Sequence, residues 1–142
     1  MARRPGGEVE RLLLVDDEEA LVELVSLSLA DLGYRVTCFT DPEKALAAFR
    51  SRPGDFDAVV SDLAMPQMSG LELARSLLEI RPDLPIVLAS GYVRSVDEAA
   101  AKEMGILGFA FKGSSTPEIA RTLDRILRLE GGPEALLYAE PT

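Results

Sequence analysis

The chain has 142 residues, 47% of them hydrophobic, with 24 acidic and 15 basic side chains for a formal net charge of −9. That length suits one globular domain with one core, and the negative balance argues against a nucleic-acid surface, which needs clustered Lys and Arg. There is no histidine and a single cysteine, so the usual general base, an internal disulfide and a cysteine-based zinc cluster are all excluded.

Residues 1–9, with Pro5-Gly6-Gly7 and little to bury, are expected to form a flexible N-terminal segment. Leu12-Leu13-Leu14-Val15 is a short apolar strand of the kind buried on both faces of a parallel sheet. Leu21, Leu24, Val25 and Leu27, with Leu29 and Leu32, recur at helical spacing up to Gly33, a natural C-terminal stop. A second strand follows over Arg35–Phe39 and holds Cys38 as a buried small apolar side chain. Asp41-Pro42 then opens a helix as cap and first-turn proline, with Ala45, Leu46, Ala48 and Phe49 on its apolar side.

Ala58–Ser61 reads as the third strand, ending at Asp62 before the break imposed by Pro66. Ser69-Gly70-Leu71-Glu72 is a capping box that launches a helix through Leu73, Ala74, Leu77 and Leu78. Pro85 precedes a fourth strand, Ile86–Ala89. A second capping box, Ser95–Glu98, opens the segment Ala99–Met104, and Gly108–Phe111 is a short fifth strand. Thr116-Pro117-Glu118 starts the last helix, whose Ile119, Leu123, Ile126 and Leu127 form one stripe before Gly131-Gly132. Strict alternation of five strands and five helices argues for an α/β fold, a parallel sheet with helices on both faces. Ligands of such sheets bind beyond the carboxyl ends of the strands.

The residues following each strand form a constellation. Asp16 and Asp17 follow the first, Asp62 the third, Ser90-Gly91 the fourth and Lys112-Gly113 the fifth. Each has an ordinary reading alone. Asp17 could cap the first helix, Asp62 and Ser90 could serve turns, and Lys112 could be a solvated strand end. No single one of those readings puts three carboxylates, a hydroxyl and an ammonium group on one rim. Crowded carboxylates need a cation, and hard oxygen donors on an open rim favour Mg²⁺, which also accepts a phosphate oxygen. A carboxylate beside such an ion can attack phosphorus to give an aspartyl phosphate. Lys112 would neutralise phosphoryl oxygens, and Ser90 would donate a hydrogen bond to one.

Val15-Asp16-Asp17-Glu18, Val60-Ser61-Asp62-Leu63-Ala64-Met65-Pro66, Ser69-Gly70-Leu71-Glu72-Leu73, Ala89-Ser90-Gly91 and Phe111-Lys112 together resemble the receiver domain of two-component response regulators. The resemblance covers residues 10–130, leaving a C-terminal tail at 131–142, and implies a flavodoxin-like doubly wound (β/α)5 sheet of order 2-1-3-4-5. It implies that Asp62 is the phosphoacceptor and that Asp16, Asp17, Asp62 and the backbone carbonyl of Ala64 hold Mg²⁺. Ser90 takes the position of the switch hydroxyl, Lys112 that of the phosphate-contacting lysine, and Phe109 that of the rotating aromatic. The implied partners are a histidine kinase or histidine phosphotransfer protein and a downstream protein. Phosphorylation would switch partner binding through the face of the fourth helix, fifth strand and last helix, with homodimer formation an open alternative. The chain would be a phosphorelay signalling module and not an enzyme.

No run approaches the ~20 apolar residues that span a bilayer and no signal-peptide core appears, so a cytoplasmic protein without a membrane partner is expected. No DNA-binding or catalytic segment follows the last helix, which points to output through protein contact. Both a free-standing receiver and the carboxyl-terminal receiver of a hybrid sensor kinase match, with the second slightly favoured. One departure from the family is Gly113, where proline usually follows the lysine; a trans peptide and a differently shaped loop are expected there. It keeps alive a degenerate scaffold that works without phosphorylation. Tyr92 and Ala64 flank the phosphate position and offer no carboxylate or amide to orient water, which implies slow autodephosphorylation. An aspartyl-nucleophile phosphatase would need a second carboxylate at Ala64. A nucleotide-binding domain would need a glycine-rich turn where Asp16-Asp17-Glu18-Glu19 stands.

Overall fold

A computed structural model describes residues 10–90, 95–106, 108–111 and 116–127, with the backbone alone for residues 90, 95–98, 109–111, 116–120 and 124. Strands β1 (Arg11–Val15), β2 (Arg35–Phe39), β3 (Ala58–Asp62), β4 (Ile86–Ser90) and β5 (Gly108–Phe111) alternate with α1 (Glu19–Asp31), α2 (Pro42–Ser51), α3 (Gly70–Ile80), α4 (Ser95–Met104) and α5 (Thr116–Leu127). The strands form one sheet of order β2-β1-β3-β4-β5, parallel at every pairing. This is the flavodoxin-like arrangement, in which the chain leaves β1 for one side of the sheet and returns on the other. The crevice for a ligand therefore opens at the carboxyl ends of β1 and β3.

Alternation along the strands sorts the core into two layers. Leu13, Val15, Val59, Ile86 and Leu88 face Ala45, Leu46 and Phe49 of α2, Leu73, Ala74 and Leu77 of α3, and Ala101 of α4. Leu12, Leu14, Ala58, Val60 and Val87 face Val22 and Leu29 of α1 and Leu123 and Ile126 of α5. Both faces of β1 and β3 are covered, which is why these strands read as continuous apolar runs. Cys38, expected to be buried, is only half-buried, because β2 is the edge strand.

The helix α1 differs from its expected orientation. Of the set Leu21, Leu24, Val25, Leu27, Leu29 and Leu32, Leu29 is buried and Val25 packs against the core, but Leu24, Leu27 and Leu32 are exposed, and Val22, outside that set, is buried against the sheet. Apolar residues occur all round this helix, so periodicity alone permits more than one inward face. The choice is made by the smaller β-branched Val22 and Val25 meeting the sheet beside Leu29. The C-terminus is a Schellman motif, as Gly33 foretells. Gly33 takes φ 102°. Its N–H donates to the Ala30 carbonyl at 3.0 Å, and the Tyr34 N–H donates to the Leu29 carbonyl at 3.1 Å.

Two caps stand as expected. The Asp41 side chain accepts from the Glu43 N–H ahead of Pro42, and the Ser69–Glu72 box is reciprocal, with both bonds at 3.1 Å. The side chains of the box expected at Ser95–Glu98, at the start of α4, lie outside the described residues. At the amino ends of the strands, the Arg81 guanidinium donates to the carbonyls of Pro53 (2.9 Å) and Phe56 (2.6 Å), and that of Arg11 to the carbonyl of Gly54 (2.9 Å). These bonds fasten the 3-10 turn Pro53–Asp55, and Phe56 stacks on Phe49 with ring centroids 5.9 Å apart. No described helix is long and apolar enough to cross a membrane. The segments 1–9 and 131–142 lie outside the described residues.

Candidate functional site

The pairing of β1 with β3 carries the site. Val15 pairs with Ser61, so the next residues, Asp16 and Asp62, stand side by side at the carboxyl edge. The strand β3 runs one residue further than expected and includes Asp62, because the Leu63 N–H continues the ladder to the Ala89 carbonyl at 2.9 Å. Asp62 is thus held as a strand residue, and the turn role that would have explained it is ruled out. Asp62 is 6% exposed and Asp16 7%, while Asp17 is exposed.

The ordinary reading of Asp17 also fails. The cap of α1 is Glu18, in an extended conformation and without a side-chain capping bond. Asp16 instead turns one oxygen to accept from the Glu18 N–H at 3.0 Å, while its own N–H donates to the Phe39 carbonyl at 3.2 Å. Asp16 is therefore fixed by the backbone on both sides, and Asp17 comes to the same rim. One carboxylate oxygen from each of Asp16, Asp17 and Asp62 lies within 4.8 Å of the others.

This donor set fits a hard divalent cation. Burying two carboxylates is costly unless donors or a cation compensate. Mg²⁺ prefers oxygen ligands at ~2.0–2.1 Å in an octahedron, so adjacent donors stand ~2.9 Å and opposite ones ~4.2 Å apart, both within the 4.8 Å that encloses these oxygens. Its habit of using a few carboxylates and keeping waters or phosphate oxygens suits a rim open on the side of Asp17. The exposed carboxylates of Glu18 and Glu19 add to a negative potential at the mouth, which concentrates cations.

The loop from β3 to α3 closes on itself beside the triad. Leu63 and Met65 are buried in the core, Ala64 between them is exposed, and the Gly70 N–H returns to the Leu63 carbonyl at 2.8 Å. Two residues at this point escaped the reading of the sequence. Ser61 is buried, and its hydroxyl donates to the Asp62 carbonyl at 3.0 Å. Gly70 packs directly on the Asp62–Leu63 peptide. A hydroxyl inside an otherwise apolar strand was the available sign of the first.

The remaining expected residues are not brought into the site by anything described. Ser90 ends β4, one residue beyond the Ala89 that pairs with Asp62, and its backbone pairs with Phe111. The side chains of Ser90 and Phe109 lie outside the described residues, as do Gly91, Tyr92, Lys112 and Gly113 entirely.

Comparison with known proteins agrees with this geometry. Residues 12–124 match the family model described as the response regulator receiver domain. The chain is 35% identical over 130 residues to the probable transcriptional regulatory protein TcrX of Mycobacterium tuberculosis, covering 91% of this chain and 54% of TcrX. It spans about half the length of that relative, and 26% of the transcriptional regulatory protein GlrR of Escherichia coli. Among solved structures, the non-phosphorylated HemR receiver domain of Leptospira biflexa superposes with a TM-score of 0.79 at 30% identity, covering 85% of this chain and 96% of that one. The CheX–CheY–BeF3–Mg complex of Borrelia burgdorferi contains the same fold, with a TM-score of 0.82 at 17% identity over 88% of this chain and 94% of that one.

Proposed function

Because the chain belongs to the response regulator receiver domain family, we propose that Asp62 accepts a phosphoryl group from a phosphohistidine and that the resulting aspartyl phosphate switches the binding of a protein partner. The observation that carries this reading is a buried Asp62 at the carboxyl edge of the sheet, with oxygens of Asp16 and Asp17 within 4.8 Å. The receiver unit is assigned to residues 10–130. It is a phosphoacceptor signalling domain and not a classical enzyme.

In the proposed transfer a carboxylate oxygen of Asp62 attacks phosphorus. A P–O bond forms, the P–N bond of the donor breaks, and the departing imidazole takes up a proton. Asp16, Asp17, Asp62 and the Ala64 backbone carbonyl would hold Mg²⁺. When bound, that ion offsets the charge of the carboxylates and of the phosphoryl oxygens. The amine of Lys112 and the hydroxyl of Ser90 are assigned to the phosphoryl oxygens on the strength of their places in the receiver motifs, with Gly113 in place of the usual proline. Ala64 has neither a carboxylate nor an amide to orient water, which supports slow hydrolysis of the phosphoprotein.

A phosphoryl group that interacts better with one of two arrangements shifts their populations, and only that difference drives the switch. Ser90 and Phe109 are the proposed moving parts, and the face made by α4, β5 and α5 the proposed output surface. The proposed donor is a histidine kinase or a histidine phosphotransfer protein.

The test is incubation with Mg²⁺ and acetyl phosphate followed by intact-mass measurement. The wild type gains one phosphoryl group, while EDTA or Asp62→Asn abolishes the gain. A folded wild type that stays unmodified by acetyl phosphate and by phosphorylated histidine kinases would instead support a scaffold that works without phosphorylation.

A further inference from the structure

Gly70 and Ser61 both meet the carbonyl of Asp62. Gly70 is the buried first residue of α3, and its N–H donates to the Leu63 carbonyl at 2.8 Å. A Cβ placed on it would press against the Asp62 carbonyl oxygen and stand 2.9 Å from the Leu63 Cα and 3.1 Å from the Asp62 carbonyl carbon. The atoms it would meet are backbone, which cannot swing aside as the end of a long side chain does. That backbone is also held elsewhere, by the Leu63 N–H on the Ala89 carbonyl at 2.9 Å and the Ser61 hydroxyl on the Asp62 carbonyl at 3.0 Å. Leu63 and Met65, buried in the core, prevent the loop from lifting as a whole.

We propose that Gly70 and Ser61 are positioning residues for Asp62, fixing its peptide so that its carboxylate meets those of Asp16 and Asp17 at metal-binding distance. This deepens the phosphoacceptor reading and rests on it. The usual reason for a glycine, a left-handed backbone, does not apply, since the positive φ values among described residues belong to Gly33 and Gly105. What Gly70 supplies is the missing side chain. It lets α3 start against the acceptor peptide and ties the loop carrying Ala64 to the same anchor.

The test compares Gly70→Ala, Ser61→Ala and Ser61→Thr with the wild type, using Gly54→Ala as the control. Gly54 is exposed, and a Cβ there would meet nothing within 4 Å. Two readouts separate positioning from stability. One is the Mg²⁺ dissociation constant from amide shift titration, and the other is the phosphorylation rate constant with acetyl phosphate at saturating Mg²⁺. Gly70→Ala is expected to keep a native circular dichroism spectrum, to weaken Mg²⁺ binding about tenfold, and to slow phosphorylation by about tenfold or more. Ser61→Ala should weaken Mg²⁺ binding by roughly threefold, with Ser61→Thr, which keeps the hydroxyl, restoring it. Gly54→Ala should match the wild type in both.

A folded Gly70→Ala protein within twofold of the wild type in both readouts overturns the proposal. If Gly70→Ala does not fold, the serine pair decides, and equal Mg²⁺ affinity of Ser61→Ala and wild type overturns it. Should the wild type itself accept no phosphoryl group, the phosphoacceptor reading fails, and the Mg²⁺ titration still decides the positioning role.

Discussion

Asp16 and Asp62 stand at the same level of neighbouring parallel strands, one residue beyond the Val15–Ser61 pair, each with more than nine-tenths of its surface buried. Strand register alone brings them together, and Asp17 joins them because the chain turns into α1 immediately afterwards. The site is therefore a consequence of sheet topology. A one-residue slip of β1 against β3 would turn Asp16 to the opposite face from Asp62.

Mg²⁺ should stabilise the fold through this triad. Binding to the native state alone adds about 2.7 kcal/mol at a hundredfold excess over the dissociation constant, a rise of several degrees in Tm. Asp17→Asn should raise stability slightly without divalent ions, by less than ~1 kcal/mol because Asp17 is exposed, and should lose most of the Mg²⁺ effect. Thermal unfolding with and without Mg²⁺ checks both signs. An unchanged Mg²⁺ response in Asp17→Asn would remove that residue from the cation site.

The inward face of α1 can be tested by stability. Leu29→Ala removes a fully buried side chain and should cost about 2–5 kcal/mol. Leu24→Ser and Leu27→Ser change exposed positions and should stay within about 0.5 kcal/mol of the wild type. Urea unfolding midpoints would distinguish the observed face from the leucine stripe suggested by the sequence.

Most of the fold was legible because its signals are local. Apolar runs of four or five residues, the Asp41-Pro42 start, the Ser69–Glu72 box and Gly33 each declare a boundary through chemistry contained in a few residues. The triad was legible for a related reason, since parallel strands must present their carboxyl ends together. The orientation of α1 was only partly legible, because apolar residues surround the helix and only contact with the sheet selects Val22 over Leu24 and Leu27. Ser61 and Gly70 were not legible, since their significance depends on both meeting the Asp62 carbonyl in space. The arginine fastening at the opposite end was hidden similarly, since Arg81 reaches carbonyls more than twenty residues earlier.

Arg81→Met should cost about 1–3 kcal/mol, because the Pro53 and Phe56 carbonyls lose a charged donor. This end of the sheet lies away from the triad, so the Mg²⁺ dissociation constant should not change. Chemical denaturation paired with Mg²⁺ titration would show the two effects separating. A loss of Mg²⁺ affinity equal to that of Asp17→Asn would mean that the ends of the sheet are coupled.

Gly33→Ala should cost about 1 kcal/mol, because its backbone conformation at φ 102° disfavours a side chain. Gly54→Ala, with open space for a methyl group, should be nearly neutral. Unfolding midpoints of the two variants measured side by side test the Schellman end of α1.

The most direct test of the central claim is to locate the phosphoryl group. After reaction with acetyl phosphate and Mg²⁺, reduction with borohydride converts an aspartyl phosphate to homoserine, which peptide mass spectrometry assigns to a position. Homoserine at Asp62 alone, absent when Mg²⁺ is omitted, is the predicted result. Modification at Asp16, Asp17 or a serine with Asp62 untouched would contradict the account.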